Sequence, residues 1–204
     1  MSGSLFSPRS ARTLCALLTV GLAACAGTAR PPEPGEQQGT PPDLRGRRVM
    51  VLPFQENLGV PGDPDAEMAF GLTGGSSGVT WILPPELQRV VDRSPGSNLR
   101  IRALPVGAFT MAEVRRIGDP LYRDLRRLSE FVDAEVALIP VRAWTDADVG
   151  SDPTVRLSAA LIHVGTGRVL WFGVVEGTAH PLDDPRGLAS AVDRMARTLL
   201  WYAG

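Results

Sequence analysis

Two stretches of this chain carry residue types that could do nucleophilic chemistry. Gly74-Gly75-Ser76-Ser77-Gly78 fits G-x-S-x-G, where a serine is presented on a sharp turn between a strand and a helix. The surrounding sequence runs the other way. Nothing strand-like precedes Ser76 and a strand-forming run follows it, so the stretch reads as a glycine-rich loop. Only His163 and His180 are present to act as a base. His163 falls inside an apolar run and reads as a packed strand residue. His180 lies in a polar loop beside Asp183 and Asp184, and no spacing supports a Ser76–His180–Asp183 triad.

Other chemistries are limited by what the chain lacks. All 21 basic residues are arginine, so no lysine is available for a Schiff base or for a phosphate-binding loop. Two distant histidines and two cysteines offer little for a metal site, and no cofactor is expected. Asp146, Asp148 and Asp152 resemble half of a calcium loop. The glycine and closing glutamate are out of register, which favours a solvated acidic turn over a calcium site. Arg115, Arg116, Arg123, Arg126 and Arg127 form a basic stretch on two expected helices. It reads either as a solvated outer face or as a contact surface for anionic headgroups or an acidic partner. A formal net charge of −1 gives no reason to expect nucleic acid.

Cys25 has a different character. Residues 1–12 are polar with Arg9 and Arg12 and no acid, and Thr13 to Ala24 form an apolar run ending in small residues. Twelve residues are too few to span a bilayer, so the pattern is that of an export signal. Leu22-Ala23-Ala24-Cys25 resembles a bacterial lipobox. That resemblance implies cleavage before Cys25, a diacylglycerol on its thiol and usually an acylated amino terminus, which together anchor stably. Cys15 is then discarded with residues 1–24, and the mature chain has no disulfide. Ala26, where enterobacterial lipoproteins retained in the inner membrane have aspartate, implies the outer membrane.

The elements that must position these residues follow from periodicity. Residues 25–45, rich in proline and glycine, read as a disordered tether, and residues 46–204 as one folded domain. Arg47 to Phe54 reads as a buried strand, Ala66 to Leu72 as a short helix, and Val79 to Leu83 as a second strand. Pro84-Pro85 opens a helix with Leu87, Val90 and Val91 on one side. Leu99 to Leu104 alternates apolar residues with arginine and predicts a half-exposed strand. Thr110 and Glu113 have capping-box spacing, predicting a short helix to Gly118. Asp119-Pro120 and Asp184-Pro185 each read as an N-cap with a following proline. The first precedes a stripe of Leu121, Leu125, Leu128 and Val132; the second precedes Leu188, Val192, Met195, Leu199 and Tyr202. Trp201 lies off that last stripe and reads as an exposed contact residue. Residues 134–141 predict a strand. Val155–Val164 and Arg168–Gly177 flank Gly165-Thr166-Gly167 as a hairpin, apolar on both faces and so expected to lie centrally.

The pattern is an α/β (α+β) single domain: a mixed sheet with helices packed on it, closing with a hairpin and an amphipathic helix. It resembles the periplasmic domain shared by the curli secretion lipoprotein, the lipoprotein activator of penicillin-binding proteins and the amino-terminal domain of TolB. The residues that carry the likeness are Val49 to Phe54, Asp133-Ala134-Glu135, Thr166-Gly167 and Leu170-Trp171, within residues 47–202. Residues 57–78 depart from it, where such proteins have a long helix directly after the first strand. The likeness implies the fold and an envelope setting, and no functional residue beyond Cys25. The expectation is an outer-membrane lipoprotein facing the periplasm that binds an envelope protein without catalysis. The alternatives are a serine hydrolase using the Ser76 loop, or a subunit of a secretion pore, which would need long alternating strands.

Overall fold

Apolar strands between amphipathic helices build a sheet covered on both faces. The computed structural model describes residues 37–75, 78–94, 98–110, 114–147 and 151–200. The strands are β1 (Gln37–Gln38), β2 (Arg48–Val51), β3 (Glu56–Leu58), β4 (Thr80–Ile82), β5 (Val136–Asp146), β6 (Thr154–His163) and β7 (Arg168–Glu176). The helices are α1 (Pro64–Gly75), α2 (Pro84–Asp92), α3 (Leu121–Val132) and α4 (Arg186–Leu200), with a 3₁₀ turn at Val106–Thr110. The sheet order is β1-β7-β6-β5-β2-β4, with β3 added beside the end of β5. β2 pairs in parallel with β4 and β5, while β5, β6 and β7 are antiparallel. The expected mixed sheet with packed helices is therefore the architecture.

Alternate side chains of each strand feed two cores. Met50, Leu52, Ala137 and Ile139 pack with Leu87 of α2 and with Leu121, Leu125 and Leu128 of α3. Val49, Val51, Val136 and Leu138 pack on the other face with Met68 and Leu72 of α1 and Leu188, Val192 and Met195 of α4. The helical stripes expected for α3 and α4 are buried as far as Leu199; Tyr202 and Trp201 lie outside the described residues. β6 is central, as its two apolar faces require, whereas β7 has only short segments on its outer edge.

Two bulges adjust which face a residue serves. The β5–β6 register shifts between Pro140 and Arg142, leaving Val141 as the extra residue. After it, Ala143 joins the α1/α4 core, although Ala137, Ile139 and Val141 face the other side. In β7 the register jumps so that Leu170 is the extra residue, and Leu170 and Trp171 both point to the α1/α4 side.

Several elements differ from expectation for identifiable reasons. Leu99 to Leu104 is not a strand. Ile101 and Leu104 are buried, but Gln55 takes the place of a neighbouring strand: its amide donates to Ile101 O (2.9 Å) and its Oε1 accepts from Leu104 N–H (2.8 Å). Residues 114–118 are not helical; 111–113 lie outside the described residues. Arg116 forms an antiparallel bridge with Arg168, so the chain here extends along the β7 edge. The two Asp-Pro pairs also diverge. Asp184 caps α4, its carboxylate accepting from Arg186 N–H at 2.9 Å. Asp119-Pro120 is a cis peptide, Pro120 holds the cap position of α3, and no side chain caps it. Finally, residues 37–45 belong to the folded domain rather than to a tether. Gln37 and Gln38 pair with Gly173 and Phe172, and Leu44 is buried in the α1/α4 core.

Candidate contact surfaces

The arginines expected to form a basic surface converge at one end of the sheet, although not on two helices. Arg115 and Arg116 come from the extended segment on β7, and Arg123, Arg126 and Arg127 from α3; all five are exposed. The segment is registered by Ile117 N–H to Gly167 O (2.8 Å) and Val169 N–H to Arg115 O (3.0 Å). That pattern makes Arg116 and Arg168 a non-hydrogen-bonded pair, in which Cα atoms approach to about 4.5 Å and side chains share a face. α3 is clamped to the same end by Tyr122, whose hydroxyl donates to Gly165 O at 2.9 Å. A Cβ on Gly167 would lie 2.9 Å from the Tyr122 ring, and Gly167 has φ +68°, so glycine is required there twice over. Arg126 pairs with Glu130 at 3.7 Å. Among the described residues, no ion pair engages Arg115, Arg116, Arg123 or Arg168.

The opposite end of the sheet is acidic. Asp146 and Glu176 both pair with Arg156, and Asp152 and Asp183 are exposed nearby in the connecting loops. Asp146 is thus held in an ion pair of the β5–β6 end; Asp148 lies outside the described residues. Among the described residues no group of three metal-ligating side chains gathers. His180 bonds Thr178 through Nε2 (2.9 Å) and approaches Asp184 rather than Asp183, with Nδ1 3.8 Å from the carboxylate. His163 contacts Thr166 at 3.2 Å within the β6–β7 turn. Ser76 and Cys25 lie outside the described residues.

Asp184 is the most perturbed group at this end. The Arg186 guanidinium bonded to its carboxylate, then the Arg186 N–H, lower its pKa from 3.8 to about 2. A depressed carboxylate stabilises the fold fully above its ordinary range and loses that contribution as pH falls through about 2. Asp184→Asn keeps capping ability but removes the charge. It should lower the Tm at pH 6, and the gap from the parent protein should narrow below pH 4 and close near pH 2. Thermal unfolding across that range checks this; a gap independent of pH sinks it.

A second surface was not legible in the sequence. α1 and α4 pack closely because Gly71 faces Val192: a Cβ on Gly71 would stand 2.7 Å from Val192 Cγ1. Beside this contact runs a cleft of about 600 Å³ lined by Phe70, Gly74, Gly75, Ala196, Arg197 and Leu200. Phe70 is 74% exposed there. The α1 sequence gives no clear amphipathic stripe, since glycine and alanine separate its large residues. For this reason the helix showed only its centre in the sequence.

The fold defines a class: a single-sheet α/β domain with helices on both faces. No known family of sequences matches the chain, and no curated protein matches it. Solved structures are similar at low identity. The PelC dodecamer from Paraburkholderia phytofirmans is 13% identical over 80% of this chain and 94% of that one, with a TM-score of 0.44. The LpoB C-terminal domain from Salmonella enterica is 14% identical over 67% and 86%, TM-score 0.43. A lipoprotein from Neisseria meningitidis is 16% identical over 68% and 84%, TM-score 0.40. All three come from bacteria.

Proposed function

We propose that this chain is an outer-membrane lipoprotein, anchored through Cys25, whose periplasmic domain binds another envelope component without catalysis. The observation that carries this reading is the order of parts. A lipobox cysteine is followed twelve residues later by the first strand of a closed α/β domain. Its chemistry supports binding rather than turnover. Both histidines are engaged by threonines close in sequence, and His163 forms no ion pair among the described residues. Both faces of the β6–β7 hairpin are spent on the two cores, which speaks against a membrane-inserting pore. Among the described residues, no helix is long and apolar enough to cross a membrane.

The test is crosslinking in living cells of the producing bacterium, then affinity purification and mass spectrometry. One dominant envelope protein is the expected result. If nothing is enriched over an unrelated lipidated control, the binding reading is wrong.

A further inference from the structure

The two ends of the sheet differ in charge: Arg115, Arg116, Arg123 and Arg168 lie at one, and Asp146, Asp152, Glu176 and Asp183 at the other.

Among the described residues, four of the arginines at the first end take part in no ion pair of the fold. Arg116 and Arg168 face each other directly across a bridge, and like charges so placed are destabilising. Arg115, Arg116, Arg123 and Arg168 have no ion-pair partner among the described residues, whereas the acidic end shares its charges with Arg156 and Arg186. A cationic cluster kept at a cost to stability is what a binding surface requires. α3, which carries Arg123, also carries two partly exposed aromatic residues: Tyr122, whose hydroxyl reaches Gly165 O, and Phe131, 39% exposed. Arginine with aromatic side chains is the composition of protein–protein hot spots.

We propose that this end of the domain, centred on Arg116, Arg123 and Arg168, docks the acidic surface of a partner protein. The inference rests on the binding reading above and names the chemistry of the partner.

The test uses the full lipidated chain in nanodiscs of neutral phosphatidylcholine, with poly-L-glutamate as the acidic probe. Binding should weaken steeply with salt. The double variant Arg116→Glu, Arg123→Glu should lose at least tenfold in affinity. The double variant Arg100→Glu, Arg194→Glu, with the same charge change on other exposed surfaces, should stay within about twofold. An equal loss in both variants would mean that net charge alone is read, and overturns the proposal. Vesicles containing phosphatidylglycerol form the second arm. If they bind more tightly than poly-L-glutamate through the same arginines, the face belongs to lipid. Sedimentation equilibrium forms the third: self-association lost on charge reversal assigns the face to a second copy. Arg116→Glu alone should raise the Tm by up to about 3 °C, because an opposite charge then faces Arg168. A clear fall would assign Arg116 to the fold instead and sink the idea. If crosslinking in cells identifies a partner while the charge reversals leave poly-L-glutamate binding unchanged, this docking face fails and the binding reading stands. If crosslinking finds nothing, the broader reading fails.

Discussion

On the proposed anchoring, Cys25→Ser should release the chain almost completely from the membrane fraction into the soluble periplasmic fraction. Each buried methylene of an acyl chain contributes about 0.8 kcal/mol to membrane attachment, so two or more chains anchor a protein stably where one does not. If the anchor is a diacylglycerol on Cys25, losing the thiol removes it together with any chain that follows from it. The folded domain offers little to replace them. Among the described residues no helix can cross a bilayer, and the exposed large apolar residues Leu58, Phe70, Phe131 and Leu182 are dispersed over separate elements. Fractionation of cells producing the variant, with salt and carbonate washes of the membrane pellet, gives the answer. A variant that stays in the washed pellet would show that the anchor is not the lipid on Cys25. The same variant keeps residues 37–200 unchanged, so release with an intact melting curve separates anchoring from folding.

The fold was legible wherever one residue period dominated. Leu121, Leu125, Leu128 and Val132 could be placed because nothing interrupts their spacing, and the Gly165-Thr166-Gly167 turn declared the hairpin. Local pattern failed where a side chain or a distant segment supplied the hydrogen bonds. Leu99 to Leu104 has strand alternation, yet the amide of Gln55, distant in sequence, satisfies its backbone. The same holds for Gln37 and Gln38: nothing in a proline-rich polar stretch announces a strand, because the pairing depends on an unfilled edge of β7. Five arginines in a row of elements could be noticed from sequence. Their sixth member, Arg168, is joined to them only by the bridge to Arg116, which no sequence spacing encodes. The capping expectations show the same limit. Asp184-Pro185 and Asp119-Pro120 are alike as dipeptides, but only Asp184 has a following arginine to fix its carboxylate and a trans geometry that starts the helix at once.

Trp171→Ala should cost about 3–5 kcal/mol, the range for emptying a buried large aromatic, and a large share of the 5–15 kcal/mol typical of a whole domain. Trp171 is 1% exposed and sits where the β7 bulge has turned it into the α1/α4 core. Its surroundings cannot readily collapse into the space. Gly173 runs directly against the indole, where a Cβ would stand only 2.5 Å from Cζ2, so the backbone is already packed to the ring. The indole also reaches the outermost strand: Nε1–H donates to Gln37 Oε1 at 3.3 Å. Losing the ring therefore opens a cavity and loosens β1 together. Trp171→Phe separates the two effects, since it retains most of the apolar volume but has no donor; its cost should stay near 1–2 kcal/mol. Urea denaturation with an unchanged m-value measures both, and limited proteolysis should show new cleavage between residues 37 and 44 in each. An alanine variant that loses less than about 1 kcal/mol would show that the site relaxes, and that this ring does not hold β1.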